Sequence, residues 1–176
     1  MRLQPLPADQ WDEAVDQALA VMLPAERRNP QDASNVLATM VNHPALTKAF
    51  LRFNVHLLYS STLSPRIREL AILRVAHRRD CTYEWTHHVN LAKREGITDD
   101  EIEAVRRGDA IDDFERAVVT GVDELDEKSQ LSDQTWAALG KRMDDRQRMD
   151  YVFTVGSYMM LAMALNTFGV QLENSH

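Results

Sequence analysis

Three residues whose side chains could do chemistry follow one another at helical spacing in the middle of the chain. Cys81, Glu84 and His88 stand at positions i, i+3 and i+7, which places them on one face of an α-helix. The same face carries three apolar residues, Trp85, Leu91 and Ala92, while Tyr83 falls on the opposite side. The pattern therefore predicts that a thiol, a carboxyl group and an imidazole point inwards together.

A fourth candidate, Glu69, lies in the preceding helical stretch, in line with the apolar residues Ile72, Leu73 and Ala76. A carboxylate on such a face is costly unless it has a partner. Glu84 and His88 lie one helical turn apart and could share a proton. Glu69 could hold the imidazole from the facing helix, or raise the pKa of Glu84 through like charge. This combination suits the transfer of protons to and from carbon.

Each of these residues also has a purely structural interpretation. Glu84 and His88 could form a satisfied buried pair, and a lone cysteine such as Cys81 is commonly a small buried hydrophobe. Glu69 could form an ion pair with one of three nearby arginines, Arg66, Arg68 or Arg74. His87 points about 100° away from His88 on a helix and is expected at the rim or surface.

A metal site is a further alternative, because Glu69, Cys81, Glu84 and His88 all have side chains that can bind metal ions. They lack the short ligand-pair spacing that makes such a prediction specific. His56, one turn after Arg52 on an earlier helix, could reach the same pocket, although a histidine at such a position is more often on a helix surface. We therefore predict a site without a metal or cofactor, with Tyr83, Trp85 and His56 lining a substrate pocket.

The elements that must position these residues are all helical. No stretch alternates apolar and polar residues for long enough to predict a strand. Three helices are predicted in the first part of the chain: Pro7–Leu23 with Asp9 as a cap, one from Asp32 or Ser34 to Val41, and Leu46–Tyr59. Two central helices follow, one from Pro65 to a break at Asp80 and one from that break to Gly96. Four more helices are predicted after them: one from Thr98 to Arg107, one that begins at Asp112 or Asp113, one that begins at Ser132, and Asp145–Phe168. The prediction is an all-α fold of about eight helices in one domain, residues 1–176.

Composition limits the possible partners and compartments. The 176 residues are 44% hydrophobic and 27% charged, with a formal net charge of -7 and no basic run. This balance argues against binding to nucleic acid or to anionic membrane surfaces. One cysteine cannot form an intramolecular disulfide, and the first residues lack the long apolar core of a signal peptide. We therefore expect a cytoplasmic protein.

One segment, Tyr151–Leu172, carries no charge and is long enough to span a membrane. It contains several polar and small residues, among them Gly156, Ser157 and Asn166. A helix that is apolar on most sides needs only to be surrounded. We therefore predict that it is buried in the core or at an interface between subunits.

Residues 65–102 resemble the carboxymuconolactone decarboxylase and alkylhydroperoxidase D-like superfamily. The residues that carry the resemblance are Arg68-Glu69-Leu70-Ala71-Ile72-Leu73, Cys81-Thr82-Tyr83-Glu84-Trp85, His88, Ala92, Gly96-Ile97-Thr98 and Glu101-Ile102. Less specific similarity in the flanking residues extends the core motif region to residues 43–107. The resemblance implies a helical fold that assembles into trimers or hexamers.

The two branches of this superfamily differ at one position. In the peroxidase branch a glutamate, a Cys-x-x-Cys pair and a histidine act together, and Glu69, Cys81 and His88 match them. Glu84 stands where the second cysteine would be, so no internal disulfide can close a peroxidase cycle. The decarboxylase branch lacks the cysteine pair and carries a Glu-x-x-x-His arrangement, which Glu84 and His88 match.

The sequence therefore predicts a homo-oligomeric enzyme that uses acid-base chemistry on a small carbonyl or lactone compound. Glu84 and His88 would transfer protons, Glu69 would orient them, and Cys81 would help to shape the pocket. One alternative is a thiol peroxidase or reductase in which Cys81 is oxidised and then rescued by an external thiol. Another is a non-catalytic stress or scaffold protein that keeps only the helical assembly.

Overall fold

The computed structural model describes residues 1–173, and these contain helices but no strand. Nine α-helices are present in this part of the chain: α1 Glu13–Leu19, α2 Asn35–Met40, α3 Pro44–Val55, α4 Pro65–Arg78, α5 Thr82–Arg94, α6 Asp99–Arg107, α7 Asp113–Lys128, α8 Asp133–Leu139 and α9 Asp145–Phe168. The predicted all-α class is confirmed, and each of the nine helical stretches predicted along the sequence corresponds to one of these helices.

The predicted starts of the helices after residue 60 are confirmed by their caps. The side chains of Ser64, Thr98, Asp112 and Ser132 each accept a hydrogen bond from a backbone N–H in the first turn of the helix that follows. Glu101 completes a capping box with Thr98. Gly108 ends α6 in the left-handed conformation, with φ of 83°.

Two predicted helices in the N-terminal part differ from the structure in their boundaries. The first helix does not begin at Pro7, because Ala8–Gln10 forms a 3₁₀ turn and Asp12, rather than Asp9, caps α1. The predicted helix over Leu46–Tyr59 starts earlier, at Pro44, and its last turn is a π-helix over His56–Ser60. Asp12 takes the cap because its carboxylate accepts the Val15 N–H at 3.0 Å.

Contacts divide the chain into two compact units: Ser61–Met163, and Met1–Ser60 with the described residues after Met163. The prediction of a single domain stays a prediction. In the N-terminal unit, α1 packs on α3, around a core of Val15, Leu19, Ala33, Leu37, Val41 and Leu51.

The second unit is built around α4, which contacts α5, α6 and α7. Eight consecutive residues of α4, from Glu69 to Ala76, are buried, so this helix is surrounded on all sides. Its polar members need partners. Arg74 finds them in Asp123 of α7, at 2.7 and 2.8 Å, and in the carbonyls of Val105 and Arg106 at the end of α6.

Helix α9 alone among the described helices has the length and composition to cross a membrane. Within the described chain one side of α9 is buried and the other is exposed; that a subunit interface buries the second side stays a prediction. Tyr151, Val155, Tyr158 and Ala162 are buried, whereas Met149, Phe153, Met160 and Met163 are exposed. The helix is apolar on both sides, and the chain described here covers one of them.

Candidate active site

The turn between α4 and α5 sets the positions of the candidate residues. The backbone reverses at Asp80, which adopts φ of 48°, a left-handed conformation that aspartate tolerates better than most residues. The Cys81 N–H then donates to the Ala76 carbonyl at 2.9 Å, closing the end of α4 in a Schellman-type arrangement. The predicted break at Asp80 is confirmed, and Cys81 is the cap residue before α5.

His88 and Glu69 meet across the contact between α5 and α4. The His88 Nδ1 lies 2.6 Å from the Glu69 Oε2, and Glu69 is completely buried. The other carboxylate oxygen accepts a hydrogen bond from the Arg68 Nε at 3.1 Å. Glu69 therefore has both interactions that the sequence offered as alternatives, an arginine and the imidazole.

The ring of His88 is held from a second side by Tyr158 of α9. The two ring centroids are 5.0 Å apart, with the planes almost perpendicular at 87°, a favourable edge-to-face geometry. Sequence reasoning missed Tyr158, because nothing in an apolar helix 70 residues further along the chain indicates which ring it touches. Glu69 and Tyr158 together restrict the orientation of the imidazole.

Glu84 is buried, with 3% of its surface exposed, and neither of its carboxyl oxygens has a well-formed hydrogen bond in the described chain; the Cys81 thiol is the polar group that interacts with it. Glu69 takes the Nδ1 of the His88 ring, and no hydrogen bond joins Glu84 to His88 in the described chain. That these two residues share a proton stays a prediction. Burial raises the pKa of Glu84 to about 8, and the neighbouring Cys81 thiol lowers it only in part. Desolvation is therefore the cause of the raised pKa, not the like charge of Glu69 expected from the sequence.

The Cys81 thiol is equally buried, at 1% exposure. Burial raises the pKa of Cys81 to about 12, the Glu84 carboxylate adds to the rise, and the backbone N–H groups of Glu84 and Tyr83 oppose it. At neutral pH the group is a thiol rather than a thiolate, and thiolate is the reactive form. Cys81 is also the one cysteine in the sequence.

The aromatic residues predicted to line a pocket lie in different surroundings. Tyr83, predicted on the outer side of α5, is buried, and its ring stacks on His87 with the centroids 4.4 Å apart. Trp85, predicted inside, is half-buried, and the Arg106 guanidinium lies 4.3 Å above its ring. Leu91, also predicted inside, is 36% exposed. The buried face of α5 is therefore rotated from the predicted one, so that it includes Tyr83 and not Leu91. Trp85 lies at the edge of this face, where Arg106 of α6 covers its ring.

His56 lies in the N-terminal unit, on the π-helix that follows α3, where it is exposed. Among the described residues, no three histidine, cysteine, aspartate or glutamate side chains are placed so that they could hold a metal ion.

A groove of about 600 Å³ lies elsewhere, lined by residues of α7 and α8 such as Phe114, Thr135 and Arg142. It contains none of the residues that the sequence singled out. The candidate site is therefore defined by its chemistry and not by this groove.

Comparison with known proteins places these residues in a recognised family region. Residues 44–127 match the model of the carboxymuconolactone decarboxylase family, a segment that includes Glu69, Cys81, Glu84 and His88. No curated protein matches the sequence.

Several solved structures share the fold. An uncharacterized peroxidase-related protein from Silicibacter sp. TM1040 has a TM-score of 0.79 at 16% identity, covering 98% of this chain and 93% of that one. An alkylhydroperoxidase AhpD core protein, also peroxidase-related and uncharacterized, from Ralstonia eutropha JMP134 has a TM-score of 0.73 at 16% identity, covering 99% and 94%.

A third similar structure is a cysteine-to-alanine variant of the debrominase Bmp8 in complex with 2,3,4-tribromopyrrole. Its TM-score is 0.72 at 14% identity, covering 98% of this chain and 92% of that one. At these identities the likeness shows a common fold, and the proteins that share it differ in their described activities.

Proposed function

We propose that this chain is a member of the AhpD-like superfamily, which its family-model match and the shared fold support. We further propose that its Glu84 and His88 side chains carry out acid-base chemistry on a small carbonyl or lactone compound without a cofactor. The observation that carries this proposal is the state of Glu84. A buried carboxyl group with no hydrogen-bond partner is costly to keep. Such groups with a strongly shifted pKa are concentrated at functional sites.

The geometry supports a division of roles between the two residues. Donation of the His88 Nδ1–H to Glu69 leaves the Nε2 lone pair of the ring available to accept a proton, as in other carboxylate-oriented histidines. Glu84 is largely protonated at neutral pH, because its pKa is about 8, and can therefore donate one. A base and an acid one helical turn apart suit decarboxylation next to a carbonyl, isomerisation of a double bond, or hydration.

The thiol peroxidase alternative has weaker support. Two similar structures are described as peroxidase-related, but Cys81 is buried, its pKa is raised to about 12, and the sequence holds no second cysteine to resolve an oxidised one. Turnover would need an external thiol to reach a buried sulfur.

The test of the acid-base proposal does not require the natural substrate. We would incubate the protein with a panel of small lactones and keto acids in D₂O and follow, by NMR, deuterium incorporation next to the carbonyl and release of carbon dioxide. Glu84→Gln and His88→Asn should each lower the rate for any active compound by about 10²–10⁴-fold. Glu103→Gln, at an exposed position of α6, should leave it unchanged.

The alternatives are tested on the same protein preparations. Fast steady-state peroxide reduction that Cys81→Ser abolishes would replace the acid-base proposal with the peroxidase. Rates unaffected by both Glu84→Gln and His88→Asn in folded protein would contradict the proposed roles. Activity that declines as pH rises through about 8 is expected for the unsubstituted protein, because Glu84 loses its proton there.

A further inference from the structure

Arg68 is the arginine of α4 that bonds to the candidate site. Its Nε donates to the Glu69 Oε1 at 3.1 Å, while the other oxygen of the same carboxylate lies 2.6 Å from the His88 Nδ1. The three other arginines of this helix bond acidic residues of α6 and α7 instead. Arg68, Glu69 and His88 therefore form a continuous series of contacts, with the carboxylate in the middle.

The contact between Arg68 and Glu69 is not one that a helix makes by default. Adjacent residues on an α-helix point about 100° apart and do not face each other, so the Arg68 side chain bends back to reach its neighbour. Only 14% of this side chain remains exposed, and ordering a long arginine side chain is unfavourable in entropy. The fold therefore holds a positive charge beside a carboxylate that has no exposed surface.

The balance of charge shows what this cation does. Glu69 is completely buried, and an ionised carboxylate in such a place needs a positive partner. Its hydrogen-bond partners in the described chain are Arg68 and His88, and each could supply that charge. With Arg68 present, Glu69 is neutralised while the imidazole stays uncharged. Without Arg68, neutrality is restored when the ring takes one proton from solvent at Nε2.

The other groups beside the ring leave this balance unchanged at neutral pH. Glu84, one turn earlier on α5, is largely protonated because burial raises its pKa to about 8. Cys81 is a thiol, since burial raises its pKa to about 12. Tyr158 of α9 packs on the imidazole and adds no charge. The charge of the ring is therefore set by Glu69 and by the group that neutralises this carboxylate.

We propose that Arg68 is a positioning residue that keeps His88 neutral, so that the Nε2 of the ring is free to accept a proton from a substrate. Arg68 acts through Glu69. This role rests on the proposed function of His88 as a base, but the effect of Arg68 on the protonation of the ring can be measured without any substrate.

The first experiment reads the protons on the ring directly. Heteronuclear NMR of the ring nitrogens distinguishes a protonated from an unprotonated nitrogen, and the spectrum of His88→Asn identifies the signals of this ring. In the unsubstituted protein at pH 7 we expect a protonated Nδ1 and an unprotonated Nε2. In Arg68→Met at the same pH both nitrogens should be protonated, because Glu69 then takes its positive partner from the imidazole.

Three further variants separate this role from a general effect of charge or of folding. Arg68→Gln removes the charge but keeps a hydrogen-bond donor, and provides the same test if Arg68→Met does not fold. Arg68→Lys keeps the charge and should retain the unprotonated Nε2. Arg78→Met removes an arginine of the same helix that bonds Asp126 and Glu127, and should leave the signals of His88 unchanged.

The second experiment measures the rate against pH with any compound that proves to be a substrate. Arg68→Met should lower the rate at pH 7 by about 10²-fold, and the rise of the rate with pH should move to higher pH, because the ring must first lose its extra proton. The fall above about pH 8, which belongs to Glu84, should stay in place. An arginine with a merely structural role would lower the rate by a similar factor at every pH.

Two results would overturn the inference. The first is an unprotonated Nε2 at pH 7 in folded Arg68→Met or Arg68→Gln. The second is an equal change of the His88 signals in Arg78→Met. These results are distinct from a failure of the acid-base proposal. If the nitrogens respond as expected but no activity depends on His88, the proposed function fails and the effect of Arg68 on the ring stands.

Discussion

Glu84 and Glu101 are both buried glutamates, yet the protein treats them in opposite ways. At Glu101 burial alone would raise the pKa, but the Thr98 N–H and Arg66 outweigh it and hold the pKa below its ordinary value. Glu84 has only the weak interaction with the Cys81 thiol to lower its pKa, and burial raises that pKa to about 8. The two glutamates thus differ in the direction of the pKa shift, because Glu84 is the more deeply buried carboxyl group and Glu101 has an arginine and a backbone N–H beside it.

The structural role of Glu101 is visible in its contacts, whereas those of Glu84 show none. Arg66 bonds Glu101 and also Glu115, the latter at 2.7 and 3.1 Å, which ties α4 to α6 and α7. Nothing comparable explains why a carboxyl group is buried at position 84. The fold satisfies Glu101 with hydrogen bonds and leaves the oxygens of Glu84 without such partners, and this contrast is the observation that supports the proposed role of Glu84.

The largest expected effect comes from removing the partner of Glu101. Arg66→Met leaves two buried carboxylates, Glu101 and Glu115, without their cation, and should lower the free energy of unfolding by about 3–5 kcal/mol. Chemical denaturation at pH 7 measures this. Arg116→Met, which removes an exposed ion pair with Asp109, should give no measurable change. Equal effects of the two variants would refute the structural role of the Arg66 network.

The next effect concerns the pH dependence of stability at Glu84. In the unfolded chain Glu84 ionises near pH 4.5, and in the folded protein near pH 8. Between these values the unfolded state releases the proton first, so the stability contributed by this group is lost as pH rises. Glu84→Gln does not titrate and should therefore become more stable relative to the unsubstituted protein, by up to about 3 kcal/mol between pH 5 and 8.

Denaturation curves for both proteins across this pH range provide the measurement. A stability difference that stays constant from pH 5 to pH 8 would mean that Glu84 titrates normally. The burial of an unpartnered carboxyl group would then no longer distinguish it from Glu101.

Glu101 should show the opposite sign. Its folded pKa is lowered, so its contribution is present above the unfolded pKa and is lost as pH falls through the folded one. Glu101→Gln should cost about 2 kcal/mol at pH 7, because a charge-assisted hydrogen bond is lost. The deficit should shrink towards pH 3. A deficit that grows in acid would contradict this assignment.

The smallest effect tests whether every unpartnered buried group is functional. The Thr154 hydroxyl on α9 is fully buried and has no hydrogen-bond partner. Replacing it with a methyl group in Thr154→Val should stabilise the protein by about 1 kcal/mol. Thermal unfolding measures the gain. If Thr154→Val also abolishes any activity that Glu84→Gln abolishes, Thr154 belongs to the site as well.

Much of the local structure could be predicted because it depends on neighbouring residues. The caps at Ser64, Thr98, Asp112 and Ser132 each need only one side chain and the N–H groups that follow it. The break at Asp80 could be predicted because the chain must reverse between the two central helices, and aspartate accepts the positive φ that this reversal needs. The N-terminal helices were placed less well, because Asp9 and Asp12 are both acceptable caps and only packing chooses between them.

The sequence by itself determined the helical class, the family region and the fact that Cys81 has no second cysteine to pair with. It also placed Glu84 and His88 on one helix, since their spacing is a property of the chain. Only the tertiary structure decided that His88 pairs with Glu69, that Tyr158 packs on its ring, that Glu84 stays unpartnered, and that Tyr83 turns inwards instead of Leu91. These facts depend on how α4, α6 and α9 surround α5, and helical periodicity carries no information about which neighbour covers which face.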